Sequence, residues 1–475
     1  MPVNRMDLSI KCHFIVTNNG LSWHMQKETE IKLRVSRDTL EALRQHPILT
    51  QRLQQDWLTH PLYNQYYDTP NLDLAKAQVA LRLRRDGEQF IQTLKSRGQS
   101  VAGLSERNEW DWYLQQPTLD PKLLTDDCWP ASLAELDRQS LQPIFTTDFV
   151  RTKADLSWSV AETEIRVEAA LDLGQVISGE RHEEICELEL ELRQGESLAL
   201  LDLALELAQQ LPVMPCDISK AERGYRLQEA RTSRLLVPPV LEASASVDDS
   251  IALLGSHLLG NSQRLAEEYD NSRRWSALVS WVECLVDLRA LLGSLGLVAP
   301  RTSTHNLRAQ LDALLADWQP RRVQGQQHEH ERQAAEAAFN AELTQTRWGV
   351  FSLQMARWLI SRQWTQPRTE RGQRQGNTEL GRWLARELAE ESAALRLPQY
   401  ERQPLSLAEQ LPRMERLLVW LRFGRSVLEL PEIDRLYGEL AKLHDMLLYS
   451  LGDKDLMSAQ IHTLWTLKPW KVLAR

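Results

Sequence analysis

Five separate stretches in the first half of the chain set charged or polar side chains in alternation with mostly apolar ones. In the first, Glu28, Glu30, Lys32 and Arg34 share one parity, while Ile31, Leu33 and Val35 take the other. Arg82 and Arg84 alternate with Leu81 and Leu83, and Thr93 and Lys95 with Gln92 and Leu94. Glu109 and Asp111 alternate with Trp110 and Trp112, and Glu187, Glu189 and Glu191 with Leu188, Leu190 and Leu192. A period of two belongs to the β-strand, whose successive side chains point to opposite faces. Ordinary surface strands mix signs, because like charges on neighbouring strands repel. Here the signs are segregated into acidic and basic strands, which calls for one concave site holding a cation and a polyanion. Closing the strands into a barrel puts the charges inside and the leucines outside, under helices. A lumen lined in this way is a place for a ligand rather than a core.

Glu28-x-Glu30-x-Lys32 resembles the signature of the CYTH superfamily, the triphosphate tunnel metalloenzymes. Further matches follow in the family's order: Tyr66-Tyr67-Asp68-Thr69-Pro70, Leu81-Arg82-Leu83-Arg84, Thr93-Leu94-Lys95 and Arg107-Asn108-Glu109-Trp110. Then come the segment from Thr147 through Arg151 to Lys153, Ala170-Leu171-Asp172, the Cys186–Glu191 row, and Ser219-Lys220 through Arg223 to Tyr225. The likeness is to bacterial inorganic triphosphatases that join a CYTH domain to a C-terminal CHAD domain. It implies an α+β chain: an eight-stranded antiparallel β tunnel with flanking helices over residues 25–230, a linker at 231–246, and an all-α helical bundle over 247–475. The reaction implied is metal-dependent hydrolysis of inorganic triphosphate to diphosphate and phosphate.

The resemblance also assigns roles. Glu28, Glu30, Glu187 and Glu189 are the expected metal carboxylates, with Asp172 as a further ligand or water-orienting group. Oxygen ligands of this kind suit Mg²⁺ or Mn²⁺. Lys32, Arg82, Arg84, Lys95, Arg151, Lys153, Lys220 and Arg223 are expected to grip substrate, arginines as forks and lysines as point charges. Glu109, Asp172 and Lys95 are the expected catalytic groups in a reaction governed by positioning and charge stabilisation. Glu191 continues the acidic row, and its reach to a metal is open. Two other enzymatic readings exist in the superfamily: a thiamine or nucleoside triphosphatase, and a class IV adenylate cyclase. Both need an aromatic platform; of Trp57, Trp110 and Trp112, the alternation sends the last two outward. A non-catalytic polyphosphate-binding protein is the remaining reading, and it has no need of the acidic strands.

Composition narrows the field. A net charge of −9 over 475 residues argues against general nucleic-acid binding. Cys12, Cys128, Cys186, Cys216 and Cys284 are scattered and form no CxxC pair, which fits a reducing cytoplasm rather than a disulfide framework. No stretch approaches the roughly 20 apolar residues of a membrane helix. Residues 1–24 lack the features of a secretory signal. They precede a motif that opens the family's domain, so Met25 is the expected start and residues 1–24 a leader. No GxxxxGK[ST] segment is present, which excludes a P-loop engine.

Ser36 is the expected cap of a helix carrying Leu40, Leu43 and Ile48. Trp129-Pro130 should open a connecting helical region, and Leu198–Leu211 should form a helix ended by Pro212. Beyond Ser246 helical periodicity takes over, with helices expected over Leu278–Leu295, Leu307–Trp318, Glu329–Leu343, Phe351–Trp364, Glu379–Leu395, Arg413–Leu428 and Ile433–Leu451. Ten of the sixteen tryptophans lie there among leucines, so they read as interhelix packing. The CHAD resemblance implies a polyphosphate-binding surface of basic helices. The segment Trp281–Arg289 departs from it with two acids and one arginine, whereas Arg413, Arg416, Arg422 and Arg425 come closer. His328 and His330 flank Glu329 on a solvated face.

Overall fold

The computed structural model describes residues 13–16, 22–96, 98–101, 103–229 and 234–473. Most of the expected leader (residues 1–24) and residues 231–233 of the expected linker lie outside the described residues. The chain divides into two compact units. One runs up to Arg234 and takes in Glu342–Leu353; the other comprises Leu235–Ala341 and the chain from Gln354 onward.

Eight strands close the barrel of the first unit: β1 (Ser22–Arg34), β2 (Leu58–Asp68), β3 (Ala80–Asp86), β4 (Gln89–Lys95), β5 (Leu104–Leu114), β6 (Gln142–Val160), β7 (Thr163–Ser178) and β8 (Arg181–Gln194), with three short strands, His13–Val16, Gln99–Val101 and Met214–Pro215, added to β1 and β5. The eight pair antiparallel in the order β1-β8-β7-β6-β2-β3-β4-β5, and β5 returns to β1. The result is a closed barrel, as the alternation requires. Three of its hairpins turn on two residues, and each takes positive φ at the first: Gly87, Ala161 and Gly179. That left-handed conformation matches the twist of the flanking strands. Glycine adopts it without a Cβ penalty.

The outward parity is apolar and covered. Leu81, Leu94, Trp110 and Trp112 pack with Leu74, Val79, Leu124, Trp129 and Leu133. Both tryptophans thus lie outside the lumen. The segment that supplies the covering residues is not the expected helix. It forms three-residue 3₁₀ turns at Pro121–Leu123, Ala131–Leu133 and Arg138–Ser140, with Pro121 and Pro130 withholding the amide protons a longer helix needs. Helix α1 (Arg37–Gln45) starts at the expected Ser36 cap, whose hydroxyl accepts from Thr39 N. Helix α2 (Leu198–Ala208) buries Leu200, Leu201, Leu203 and Leu207 against β1 and β8.

One end of the barrel is filled from inside. Helix α3 (Lys220–Glu229) sets Tyr225 edge-on to Phe145, which stacks on Tyr66. Leu62, Phe149, Val176, Ile185 and Ala221 complete this apolar plug. Gly224 permits the approach, since a Cβ there would lie 2.1 Å from the Phe145 ring.

The second unit is helical: Val247–Ser272, Trp275–Ser294, Arg301–Gln327, Leu380–Leu395, Leu411–Phe423, Ile433–Leu448 and Lys454–Thr466 are its longer elements. Helices Glu329–Leu343 and Arg347–Ile360 run across the division of the chain. Trp281 meets Trp318 and Phe339 edge to face, and Trp383 meets Trp420. The helix Val247–Ser272 was not expected because it buries Asn261, Gln263, Arg264, Glu267 and Glu268, leaving no clean apolar stripe. Helix Arg301–Gln327 continues through Pro320, where the sequence reading stopped at Trp318. No helix among the described residues is long and apolar enough to cross a membrane.

Gly224→Ala should destabilise the barrel by about 1–3 kcal/mol, the usual cost of overpacking. Thermal denaturation reads this directly, and an unchanged melting temperature would show that α3 does not need the close approach.

Candidate functional site

Above the plug the lumen is a cavity of about 470 Å³. Eight carboxylates and nine lysine or arginine side chains line it. Their distribution follows the order of the strands. Strands β5, β1, β8 and β7 are contiguous and carry Glu109, Asp111, Glu28, Glu30, Glu189, Glu191 and Glu168. Strands β6, β2, β3 and β4 form the opposite half and carry Arg151, Lys153, Arg82, Arg84 and Lys95. The tunnel is therefore divided lengthwise into an acidic and a basic wall, with Lys32, Arg107 and Arg193 set into the acidic one and Asp86 near the rim of the other.

The cations reach across to the acids. Lys95 Nζ lies 2.7 Å from Glu28 Oε2 and 3.2 Å from Glu109 Oε2, and Arg82 lies 3.3 Å from Glu109 Oε1. Arg107 pairs with Glu30 at 2.9 Å, and Lys32 with Glu189 at 3.2 Å. Arg151 donates two bonds of 2.7 Å to Asp172 and a third to Glu189. Lys153 and Arg193 both pair with Glu168, at 3.3 and 3.2 Å. Arg84 is different. Among the described residues it is the one cavity-lining lysine or arginine with no carboxylate within ion-pairing distance, and its Nε donates to Asn64 Oδ1 at 2.8 Å.

Charge states follow from this packing. Burial works against the Lys32 ammonium, but Glu30, Glu189 and Glu187 overcome it and raise its pKa well above the ordinary lysine range. Burial likewise opposes the Glu189 carboxylate, and Lys220, Lys32 and Arg151 hold it well below the usual carboxylate range. Glu191 goes the other way. Burial pushes it up to about 8; Arg193 opposes this, but Glu28, Glu109 and Glu168 add to it. Arg84 is lowered to about 10 by burial and by the neighbouring Arg82 and Arg151 guanidiniums.

Most of the expected site residues converge on this cavity: Glu28, Glu30, Glu189, Glu109, Lys32, Arg82, Arg84, Lys95, Arg151, Lys153 and Lys220 all line it. Asp172 and Glu187 have the expected inward parity and Arg223 projects from α3, but all three are fully buried. Lys220 contacts Asp172, Glu187 and Glu189 together, and Arg223 pairs with Glu187 at 3.0 Å and with Glu183 at 2.6 Å. Glu191, which continues the expected acidic row, lines the cavity as well, as do Arg107, quoted only as part of a motif, and Glu168 and Arg193, which carried no expectation. Parity was the available signal: Glu191 and Arg193 extend the row of Glu189, and Glu168 lies four residues before Asp172. Asp68 is structural, its carboxylate accepting from the backbone nitrogens of Thr69, Leu74 and Ala75.

Residues 26–225 match the family model described as the CYTH domain. This stretch of the chain is a CYTH domain. Over 203 residues the chain is 34% identical to the inorganic triphosphatase of Haemophilus influenzae, covering 43% of this chain and 55% of that protein. The chain thus spans about half the length of that relative. Among solved structures, a Hippeastrum protein named as a candidate adenylyl cyclase and described as having a dominant triphosphatase activity aligns at 20% identity, covering 44% of this chain and 98% of that one, with a TM-score of 0.31. A Pyrococcus horikoshii protein aligns at 19% identity, covering 38% of this chain and 86% of that one, with a TM-score of 0.23. The helical unit lies beyond the CYTH match. There Arg413 and Arg416 pair with Glu391, Arg422 with Asp287 and Arg425 with Asp434, so each has an acidic partner.

CYTH enzymes use divalent metal, and the lumen fits one. The oxygens of Asp172, Glu187 and Glu189 lie within 4.8 Å of one another, with the Lys220 ammonium in contact with all three, Arg151 on Asp172 and Glu189, and Arg223 on Glu187. Nearer the open half Glu191, paired with Arg193 at 2.5 Å, shares its surroundings with Glu28, Glu109 and Glu168. An all-oxygen donor set of this kind suits Mg²⁺ or Mn²⁺.

A carboxyl whose pKa is raised on folding stabilises the fold below the ordinary carboxylate range, and that contribution is lost as pH rises through its folded value of about 8. With metal chelated, the wild-type melting temperature should therefore fall more steeply between about pH 5 and 8 than that of Glu191→Gln. Calorimetric scans across that range make the comparison; parallel curves would remove Glu191 as the buried acid.

Proposed function

We propose that the CYTH domain hydrolyses inorganic triphosphate in a metal-dependent reaction, releasing diphosphate and phosphate. The lengthwise division of the lumen carries this reading. A polyanion needs the basic wall, and a divalent cation needs the acidic one. The lining is close to charge balance, so a highly charged triphosphate is best accommodated together with its counter-cation. Within that frame Arg82, Arg84, Arg151 and Lys153 bind phosphate oxygens, the guanidiniums through paired N–H donors. Lys95 and Lys220 reach the same space from the two sides and add point charge. Glu109 accepts from Arg82 and Lys95 and so fixes both cations against β5. Glu28, Glu30, Glu189 and Glu191 are the carboxylates that would hold Mg²⁺ or Mn²⁺. When bound, the metal neutralises phosphate charge and lowers the pKa of water for attack on phosphorus.

An inorganic substrate is favoured over a nucleotide or thiamine triphosphate by the lining. Its aromatic rings are Tyr66, already stacked on Phe145, and Tyr113 and His60 toward the exposed end. Trp110 and Trp112 are committed to the outer core. The 34% identity to a protein named inorganic triphosphatase points the same way.

Phosphate release from tripolyphosphate should require Mg²⁺ or Mn²⁺, stop in EDTA, and exceed release from ATP and thiamine triphosphate. Glu28→Ala or Glu30→Ala should reduce kcat/KM by about 100-fold or more, as loss of a preorganised charge usually does. Full turnover in both variants, or equal turnover in EDTA, would overturn the metal-dependent reading. Lys95→Ala should raise KM if the ammonium grips ground-state substrate and lower kcat if it acts later.

A further inference from the structure

We propose that Asn64 is a positioning residue: its buried amide aims the Arg84 guanidinium into the lumen while leaving the arginine's charge uncancelled. The inference rests on the triphosphate reading above and deepens it at one point of the phosphate grip. Eight of the nine lysines and arginines lining the cavity have a carboxylate partner within ion-pairing distance. Arg84 instead meets a neutral acceptor. Asn64 is its direct cross-strand neighbour on β2, and Thr147 is the neighbour of Asn64 on the other side, on β6. Asn64 and Thr147 are both fully buried, so neither touches a ligand and Asn64 acts through Arg84.

The geometry leaves the amide one orientation. Arginine nitrogens only donate, so the atom facing Arg84 Nε must be the Asn64 oxygen. That turns the Nδ2 group toward Thr147, whose Oγ1 accepts from it at 2.9 Å. Thr147 thus fixes the amide, and the amide fixes the Nε edge of Arg84. The terminal N–H groups of the guanidinium remain for phosphate. A carboxylate at this position would hold Arg84 equally well, yet it would cancel the charge that the guanidinium offers to phosphate. A neutral acceptor separates orientation from neutralisation. Arg82 and Arg151 lie close enough to depress Arg84, so three guanidiniums share this corner of the basic wall.

Asn64→Asp changes the charge with almost no change in shape. It should raise KM for tripolyphosphate about tenfold or more and alter kcat by less than about threefold. In an Arg84→Ala background the same substitution should change KM by less than about twofold, because the residue it acts through is gone. Thr147→Val, which frees the amide to turn, should raise KM about threefold. It also carries the test if Asn64→Asp does not fold, which thermal melting will show. Wild-type KM in both variants, or an undiminished effect of Asn64→Asp without Arg84, would overturn the assignment. Calorimetric binding of tripolyphosphate in EDTA reads the grip separately from turnover. A wild type that binds but releases no phosphate would sink the hydrolase reading alone, with the Asn64 role then decided by the variants' binding. A wild type that binds tripolyphosphate neither in EDTA nor with Mg²⁺ would sink both.

Discussion

The segregation of charge between the two halves of the barrel wall governs the rest of the first unit. Charged residues on every second position would be unfavourable facing apolar neighbours and repulsive facing their own kind. Ring closure resolves both problems by setting acidic strands opposite basic ones across a narrow lumen. The outer parity is then free to be apolar, and α2 and the Pro121–Ser140 segment are recruited to cover it. The architecture inverts the usual globular arrangement, with the hydrophobic layer outside the sheet and the ionic layer within. Its stability depends on nearly every inward charge finding a partner, since an unpaired buried ion costs several kcal/mol.

Lys220 shows how the ion pairs are graded along the barrel axis. Its ammonium sits among Asp172, Glu187 and Glu189, behind which Arg223 and Glu183 continue the network. With Arg151 on Asp172 and Glu189 and Arg226 on Glu183, this deep layer sets four cations against four carboxylates. Nearer the open half Glu191 is pushed up to about 8, chiefly by burial, with Arg193 opposing and Glu28, Glu109 and Glu168 adding to it.

Much of this was legible in the sequence because period two fixes the face of each residue. Glu28, Glu30, Arg82, Arg84 and Glu189 were recognisable from their alternation alone. Depth along the barrel axis was not, and that explains the different environments of Glu187 and Glu191. Both share the parity of Glu189, but Lys220 and Arg223, on a helix some thirty residues later, decide which one is enclosed. Glu168 and Arg193 were inconspicuous for a different reason. Glu168 is followed by two alanines, and Arg193 stands past the end of the leucine repeat, so neither belongs to a row. Asn64 carried no charge to draw notice, and its importance arises only from register with Arg84 and Thr147. In the helical unit, Trp281, Trp383 and Trp420 were placed by periodicity, whereas the helix Val247–Ser272 was hidden by the polar residues it buries.

The apolar plug of Phe145, Phe149, Val176 and Ile185 beneath α3 makes the lumen blind at one end. A triphosphate bound as proposed would therefore enter tip first, and the depth of the pocket would set how many phosphoryl groups pass inside. For a hydrolase built this way the same doorway serves arrival and departure. Products would queue against incoming substrate, and turnover would answer to diphosphate in the surroundings.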